Sequence, residues 1–391
     1  MPHRILPYIR AAMLCLATGV SACGGGSEAP APTLSVGVSI TAPAAADQVF
    51  SLGTPVAVGA RVTVNGAPAP DGTALQFTAP AGSFAPANAL TRGGVASTTL
   101  TGTTAGKQTF TATATLSGAT GSSTQSLYLR QPPAPLEVLV PAYFYPSAGG
   151  SDWERLTASA RAHPGLKITA ILNPANGIFS SADPRYLQAA QDFVGAGGRL
   201  LGYVYTRYGT GARSVADIQA NIDRYLDLYG RRLISGIFLD EMAADPARIG
   251  FYREIENHIQ SRDASLRMLG NPGTVPAEGL AGVVDALVTF EGTGASYASY
   301  DPRQAADWLY SRSNSTQAML AHNVMTCQAM QATVATAATP LANAGMVYVT
   351  DRVYDYATRT GNPWATLPGY WTPLLDTVQA INQGQALPAC P

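Results

Sequence analysis

Ile234-Ser235-Gly236-Ile237-Phe238-Leu239-Asp240-Glu241 is a short apolar run that stops abruptly at two acids. A run of this length and character reads as a strand of a parallel sheet, covered on both faces. Within it Ile237 and Leu239 share one face and suit packing against outer helices. Gly236, Phe238 and Asp240 share the other, which in a closed barrel points to the axis. Glu241, one residue beyond, starts the loop and reaches the same place from the rim. Seven further runs have this character: Leu136–Tyr145, Lys167–Asn173, Arg199–Thr206, Leu266–Pro272, Asp285–Glu291, Gln317–Asn323 and Gly345–Asp351. Helix-like stretches lie between and after them, among them Ser151–His163, Val215–Tyr229, Pro246–Ser261, Pro302–Ser313 and Trp371–Gln383. Eight strands alternating with helices predict a (β/α)8 TIM barrel over residues 136–391, close to the usual size of about 250 residues. A doubly wound open sheet is the alternative, weakened because no G-x-G-x-x-G follows the first strand.

The strand ends carry the chemistry. Tyr143 and Tyr145, Asn173, Tyr205 and Thr206, Asp240 and Glu241, Asn271, Glu291, His322 and Asn323, and Asp351 each close a run. In a barrel these ends converge on one mouth, where the active sites of this fold form. Glu291 shares its face with Thr289, a polar residue suited to the upper barrel. Two carboxyl groups in one cleft fit glycoside hydrolysis, in which one acid protonates the leaving oxygen and the other acts as nucleophile or base. Tyr143, Tyr145, Tyr203, Tyr205 and Tyr208 can stack on sugar faces, although each equally suits packing at the barrel top. Asn173 and Asn271, each followed by Pro, can hold substrate hydroxyls or end their strands by turn chemistry.

Upstream the composition changes. Residues 34–130 are rich in Thr, Ala, Val and Gly, with strict alternation at Val56-Ala57-Val58-Gly59-Ala60-Arg61-Val62-Thr63-Val64 and around Phe110-Thr111-Ala112-Thr113-Ala114. Such alternation marks half-buried antiparallel strands, and Asn65-Gly66 and Asp71-Gly72 supply turns, so a β-sandwich is expected. Val62–Pro68, Gly93-Gly94-Val95-Ala96 and Gly106–Phe110 resemble bacterial Ig-like domains of the intimin/invasin type, which implies a spacer. Gln131-Pro132-Pro133-Ala134-Pro135 reads as a stiff linker (residues 131–135) with few contacts across it.

The N-terminus carries an address. Arg4 and Arg10 precede the apolar stretch Ala11–Ala17, and Val20-Ser21-Ala22-Cys23 follows. That is a secretory signal over residues 1–22, and Val-Ser-Ala-Cys resembles a lipobox, with Cys23 as the lipidated residue. Residues 23–33, opening with Gly24-Gly25-Gly26-Ser27, suit a flexible tether. Gly24, by resemblance to Gram-negative lipoproteins, favours the outer membrane, so a membrane partner is expected through lipid alone.

Composition narrows the remaining classes. A net charge of −1 gives no footprint for nucleic acid. No Cys pair is spaced as C-x-x-C and no H-E-x-x-H is present, so no metal or other cofactor is expected. Cys327 and Cys390 remain after signal cleavage, and their spacing leaves a disulfide and two free thiols equally open.

Several strand ends together resemble the spherulin 4-like family of glycoside hydrolases. The matching pieces are Val140–Pro146, Ile171–Pro174, Gly202–Thr206, Gly236–Glu241, Gly270–Thr274 and Phe290-Glu291, in order across residues 136–300. The resemblance implies a (β/α)8 barrel that hydrolyses α-1,4 linkages in a galactosamine-containing polysaccharide, endo-acting, with Asp240, Glu241 and Glu291 as its acids. It thins after strand 6, so His322, Asn323 and Asp351 gain little from it. Substrate contacts are expected from Tyr143, Tyr145, Asn173, Tyr203, Tyr205, Asn271 and His322. By analogy with retaining α-glycosidase barrels, Asp240 is the nucleophile and Glu291 the acid/base, with Glu241 orienting substrate. The reverse order, or Glu241 as the working partner, stays open. Two other functions compete: a non-catalytic carbohydrate-binding or adhesive lipoprotein, and a metal-dependent hydrolase using Asp240, Glu241, His322 and Asp351. A monomer is expected.

Overall fold

The computed structural model describes residues 33–390. The signal peptide, Cys23 and all but the last residue of the tether lie outside the described residues. Two sheets build residues 36–130. One holds β1 (Val36–Ala42), β3 (Val56–Val64), β4 (Ala67–Pro68), β6 (Gly82–Ala85) and β8 (Val95–Gly102). The other holds β2 (Gln48–Ser51), β5 (Ala74–Thr78), β7 (Asn88–Leu90), β9 (Gly106–Leu116) and β10 (Ala119–Arg130). The alternating residues Val56, Val58, Ala60 and Val62 of the first sheet meet Phe110, Ala112 and Ala114 of the second in one apolar core. Asn65 and Gly66 both have positive φ, 51° and 82°, the geometry of the tight turn that joins β3 to β4.

Eight parallel strands then close the barrel: β11 (Glu137–Ala142), β12 (Ile168–Leu172), β13 (Arg199–Tyr205), β14 (Ile234–Asp240), β15 (Arg267–Gly270), β16 (Ala286–Thr293), β17 (Gln317–His322) and β18 (Met346–Val349). Sequential order around the ring, with β18 returning to β11, settles the choice between barrel and open sheet. The principal helices are α1 (Asp152–Ala162), α2 (Pro184–Gly195), α3 (Val215–Leu228) and α4 (Ile249–Arg262). Two short ones follow, α5 (Gly294–Ala298) and α6 (Pro302–Ala305), then α7 (Cys327–Ala338) and α8 (Trp371–Asn382). Ser151, Asp183, Ser214 and Thr326 cap the starts of α1, α2, α3 and α7 by accepting a backbone N–H from the first turn. Cys327 at the start of α7 is disulfide-bonded to Cys390, which ties the C-terminus to the barrel.

Two departures from the sequence reading matter. Pro302–Ser313 is not one helix: α6 ends after one turn, Ala306 is extended, and Asp307–Tyr310 form a separate 3-10 turn. The break presents Tyr310 to Tyr128 of β10, their ring centroids 4.6 Å apart. Contacts across the linker are also more than few. Arg303 donates to the Asp47 carbonyl at 2.7 Å, and Tyr128 bonds the Asp307 carboxylate. Asn314 exchanges two hydrogen bonds with the backbone of Ala134, and Asn382 does the same with Leu136. Each amide mimics a strand partner, so the linker is stapled to the barrel floor.

That floor, where the strands begin, holds a part-buried ion pair. Glu137 on β11 accepts from Arg267 of β15 at 3.1–3.2 Å and from Thr169 of β12. Arg267 also donates to the Ser315 carbonyl. Gly236 is required on the neighbouring strand because a Cβ there would lie 2.1 Å from the Arg267 carbonyl oxygen.

Candidate active site

At the opposite end, β14 delivers Asp240 as its last residue. Phe238, two residues earlier, stacks on Tyr203 of β13 at 6.3 Å, and the Tyr203 hydroxyl donates to Asp240 Oδ2 at 2.7 Å. Phe238 and Asp240 therefore share the interior face, as the alternation predicts. Next door, Asn271 at the end of β15 donates through Nδ2 to Asp240 Oδ1 at 2.9 Å and to Glu291 Oε2 at 2.7 Å. Its own Oδ1 accepts from the Gly273 amide at 2.9 Å, so a local turn fixes which end of the amide faces the acids. Both hydrogens of Nδ2 are thus engaged by carboxylates. Asn271 is a bridge between the acids rather than a free donor for a sugar hydroxyl.

A bulge sets the aim of Glu291. The pairing of β16 with β17 shifts between Val288 and Phe290, leaving Thr289 as the extra residue. Beyond it Phe290 packs outward on Tyr297 and Tyr300 of the α5 region, while Glu291 faces Asn271 inside. Glu291 keeps some surface on the cleft, yet burial of its carboxyl pushes the pKa up to about 7. The Asn271 hydrogen bond pulls it down, and the Asp240 charge adds a smaller push upward.

Glu241 sits beside the pair in a left-handed conformation, φ 50°, which a non-glycine residue holds only where its surroundings enforce it. Here the Glu241 carbonyl accepts from the Tyr208 amide and the Thr206 hydroxyl, both at 2.7 Å, and Met242 N donates to the Asn271 carbonyl. The Glu241 side chain has one buried oxygen without a hydrogen-bond partner and an Arg207 guanidinium nitrogen 3.7 Å from it.

The remaining expected residues divide. Tyr143 packs edge-on against Tyr203 at 5.4 Å, and burial followed by the charge of Asp240 raises its pKa well above the ordinary value. Asn173 is buried with its Oδ1 unpartnered, an open acceptor at the end of β12. Tyr145 turns away to donate to Asp183 at the start of α2, because β11 ends at Ala142 and its alternation stops there. The guanidinium groups of Arg207 and Arg213 lie 5.3 and 4.2 Å from the centroid of the Tyr205 ring. His322 is almost wholly buried, with one ring nitrogen 2.7 Å from Asn323 Oδ1 and the other 3.0 Å from the Tyr356 hydroxyl. It therefore backs Tyr356 and offers no free nitrogen to a substrate. Asp351 accepts from the Gly369 amide and lies 3.5 Å from Arg352. Among the described residues no three His, Cys, Asp or Glu side chains gather as metal ligands. Sequence reasoning missed Tyr354, Tyr356 and Trp364, which surround His322 at 5.7–6.3 Å between ring centroids. Only their long-range contact with His322 reveals them.

Comparison with known proteins places this arrangement. Residues 137–378 match the model of Spherulin4, spherulation-specific family 4. Spherulin-4 of Physarum polycephalum is 34% identical over 258 residues, covering 63% of this chain and 71% of that protein. A solved structure, Sph3 of Aspergillus clavatus in complex with GalNAc, is similar in fold, with a TM-score of 0.51 at 23% identity. The match covers 62% of this chain and 97% of that one. The match over most of the barrel and the curated relative agree: the chain belongs to spherulation-specific family 4.

Proposed function

We propose that the barrel is a glycoside hydrolase that cleaves α-1,4 linkages in a galactosamine-containing exopolysaccharide, within the chain and with retention of configuration. The observation that carries this reading is the Asn271 amide, which holds Asp240 and Glu291 from a single nitrogen. Their nearest oxygens cannot be farther apart than those two bonds end to end. That close approach suits the roughly 5–5.5 Å carboxyl spacing of retaining enzymes. The two environments also differ in the needed sense. Asp240 accepts from two donors, Tyr203 and Asn271, which fix the orientation of its carboxyl group toward the cleft. Glu291, with its pKa near 7, exchanges its proton around neutral pH, so it can both give one up and take one back.

In the first step the Asp240 carboxylate attacks the anomeric carbon while Glu291 protonates the bridging oxygen. The glycosidic bond breaks and the leaving chain departs with the proton. In the second step the Glu291 carboxylate takes a proton from water, whose oxygen displaces Asp240 from the anomeric carbon. Glu241 orients substrate from the rim. The bound GalNAc of the Aspergillus clavatus structure supports the sugar class.

Upstream, the two-sheet unit is read as an Ig-like spacer, and the chain as a monomeric lipoprotein anchored through Cys23 in the outer membrane. The Cys327–Cys390 disulfide suits an oxidising compartment. The test of the chemistry is incubation with acetylated and partly deacetylated α-1,4-galactosamine polymers, with and without chelator, following reducing ends and the anomeric proton by NMR. New α-configured ends that appear before mutarotation support the proposal. β-configured ends sink the retaining mechanism, and absence of new ends leaves the carbohydrate-binding alternative. The anchor is tested separately: Cys23→Ser is expected to move the protein out of the membrane fraction.

A further inference from the structure

The segment after β18 returns over the mouth as a two-stranded hairpin, Tyr354–Asp355 paired with Thr360–Gly361. Its placement is fixed by the last residue of β17 and the one that follows it. Asn323, itself at φ 58°, accepts from the Tyr354 amide at 2.8 Å and donates to the Tyr354 carbonyl at 3.1 Å. His322 holds the Tyr356 hydroxyl, and the Tyr356 ring meets Tyr354 edge-on at 4.9 Å. Tyr356 is nevertheless 58% exposed. An aromatic ring held by a buried histidine and a clamped backbone, yet left open to water, is built to receive something flat and partly apolar.

Register says where it stands. His322 pairs with Thr293, two residues beyond Glu291 on the adjacent strand. Around the ring the order runs from Asp240 on β14 to Asn271 on β15, Glu291 on β16 and His322 on β17. The hairpin thus lies on the Glu291 side of the acids, away from Asp240, and the Glu291 charge reaches the Tyr356 hydroxyl. We propose that Tyr356, presented by this hairpin and positioned by His322 and Asn323, is a stacking platform for a sugar on the leaving-group side of the scissile bond. The proposal rests on the hydrolase reading above, because Glu291 marks the leaving-group side only if it is the proton donor. The apolar face of a pyranose fits such a ring, and a polymer that spans it is gripped beyond the reacting unit.

The experiment compares wild type, Tyr356→Ala, Tyr356→Phe and Tyr356→Trp of the mature protein on two substrates. One is an α-1,4-galactosamine polymer and the other an aryl α-galactosaminide, which has no sugar on the leaving side. Tyr356→Ala is expected to raise KM for the polymer at least tenfold more than KM for the aryl glycoside. Tyr356→Phe and Tyr356→Trp, which keep a ring, should recover most of the polymer affinity, and melting curves check that all three fold. Equal effects of Tyr356→Ala on both substrates, or no effect on the polymer, overturn the platform. Affinity electrophoresis through the same polymer, in a Glu291→Gln background, separates this from failure of the hydrolase reading. If wild type cuts nothing but the polymer retards Glu291→Gln and Tyr356→Ala abolishes that retardation, the stacking surface stands and the hydrolase falls. Retardation that survives Tyr356→Ala removes the surface.

Discussion

Glu137 and Glu291 both place a carboxyl inside the same barrel, one at the floor and one at the mouth. Glu137 is met by a guanidinium, Arg267, and by the Thr169 hydroxyl, so its charge is answered where it lies. Glu291 is met by a neutral amide, Asn271, which it shares with a second carboxylate. Burial raises the proton affinity of the Glu291 carboxyl, and the Asp240 charge beside it adds to that rise. The floor pair therefore joins strands and does little else. The mouth pair keeps a proton available at neutral pH, and the strain at Glu241 is concentrated at the same end. The two ends of one interior have been given different tasks by the choice of partner alone.

Substitutions at each end test that contrast. The largest effect is expected at the mouth: Glu291→Gln removes the proposed proton donor while keeping shape. It should lower kcat at least a thousandfold, about 4 kcal/mol of barrel-top stabilisation of the transition state, with an unchanged circular dichroism spectrum. Near-normal turnover would end the assignment. At the floor, Arg267→Met strands Glu137 without its cation. A loss of roughly 3 kcal/mol in urea unfolding is expected, with kcat within a few-fold of wild type. If activity collapses while stability holds, the two ends are not separable in the way described.

Smaller effects sharpen the picture. Because folding raises the Glu291 pKa from 4.5 to about 7, the native state binds this proton more tightly than the unfolded chain does. Its contribution to stability is complete below about pH 4.5 and is lost as pH rises through about 7. Glu291→Gln cannot ionise, so relative to wild type it should gain on the order of 2 kcal/mol between pH 4.5 and pH 8, the full shift being discounted for exposure on the cleft. Parallel stability curves for the two proteins would contradict this. Smallest is the shift expected for Asn271→Ala. The Asn271 hydrogen bond favours ionised Glu291, so its removal moves the alkaline limb of kcat/KM upward from about 7. A limb that moves down, or stays, would show that Asn271 does not set the proton affinity.

Much of the barrel is legible in the chain because a parallel strand covered on both faces needs a continuous apolar run, and eight such runs end in polar residues. The interior position of Asp240 follows from alternation with Phe238. The bulge at Thr289 is invisible to alternation, since one unpaired residue leaves the pattern on either side intact. The turn of Tyr145 toward Asp183 is hidden for a related reason: β11 ends three residues before it, and a face cannot be extrapolated past the last ladder bond. His322 and Tyr356 are 34 residues apart, and nothing local in Arg352–Gly361 marks its tyrosines as a surface. The broken helix at Ala306 answers to Tyr128, far away in another sheet, whose place in β10 reads as any strand residue. What the sequence withholds in each case is a contact made across the fold.

The asparagine staples at Ala134 and Leu136 have a mechanical consequence. They grip the chain just before it enters β11, at the pole of the barrel opposite the acids. With Tyr128 and Tyr310 in contact beside them, the joint between the two units behaves as a clamp and not as a swivel. A protein tethered by its N-terminus and holding a polymer in its mouth would be loaded from both poles. Tension would then run along the barrel axis, in shear across eight parallel strands, instead of prying apart the strand ends that carry the acids. The catalytic geometry would keep its register while the polymer pulls.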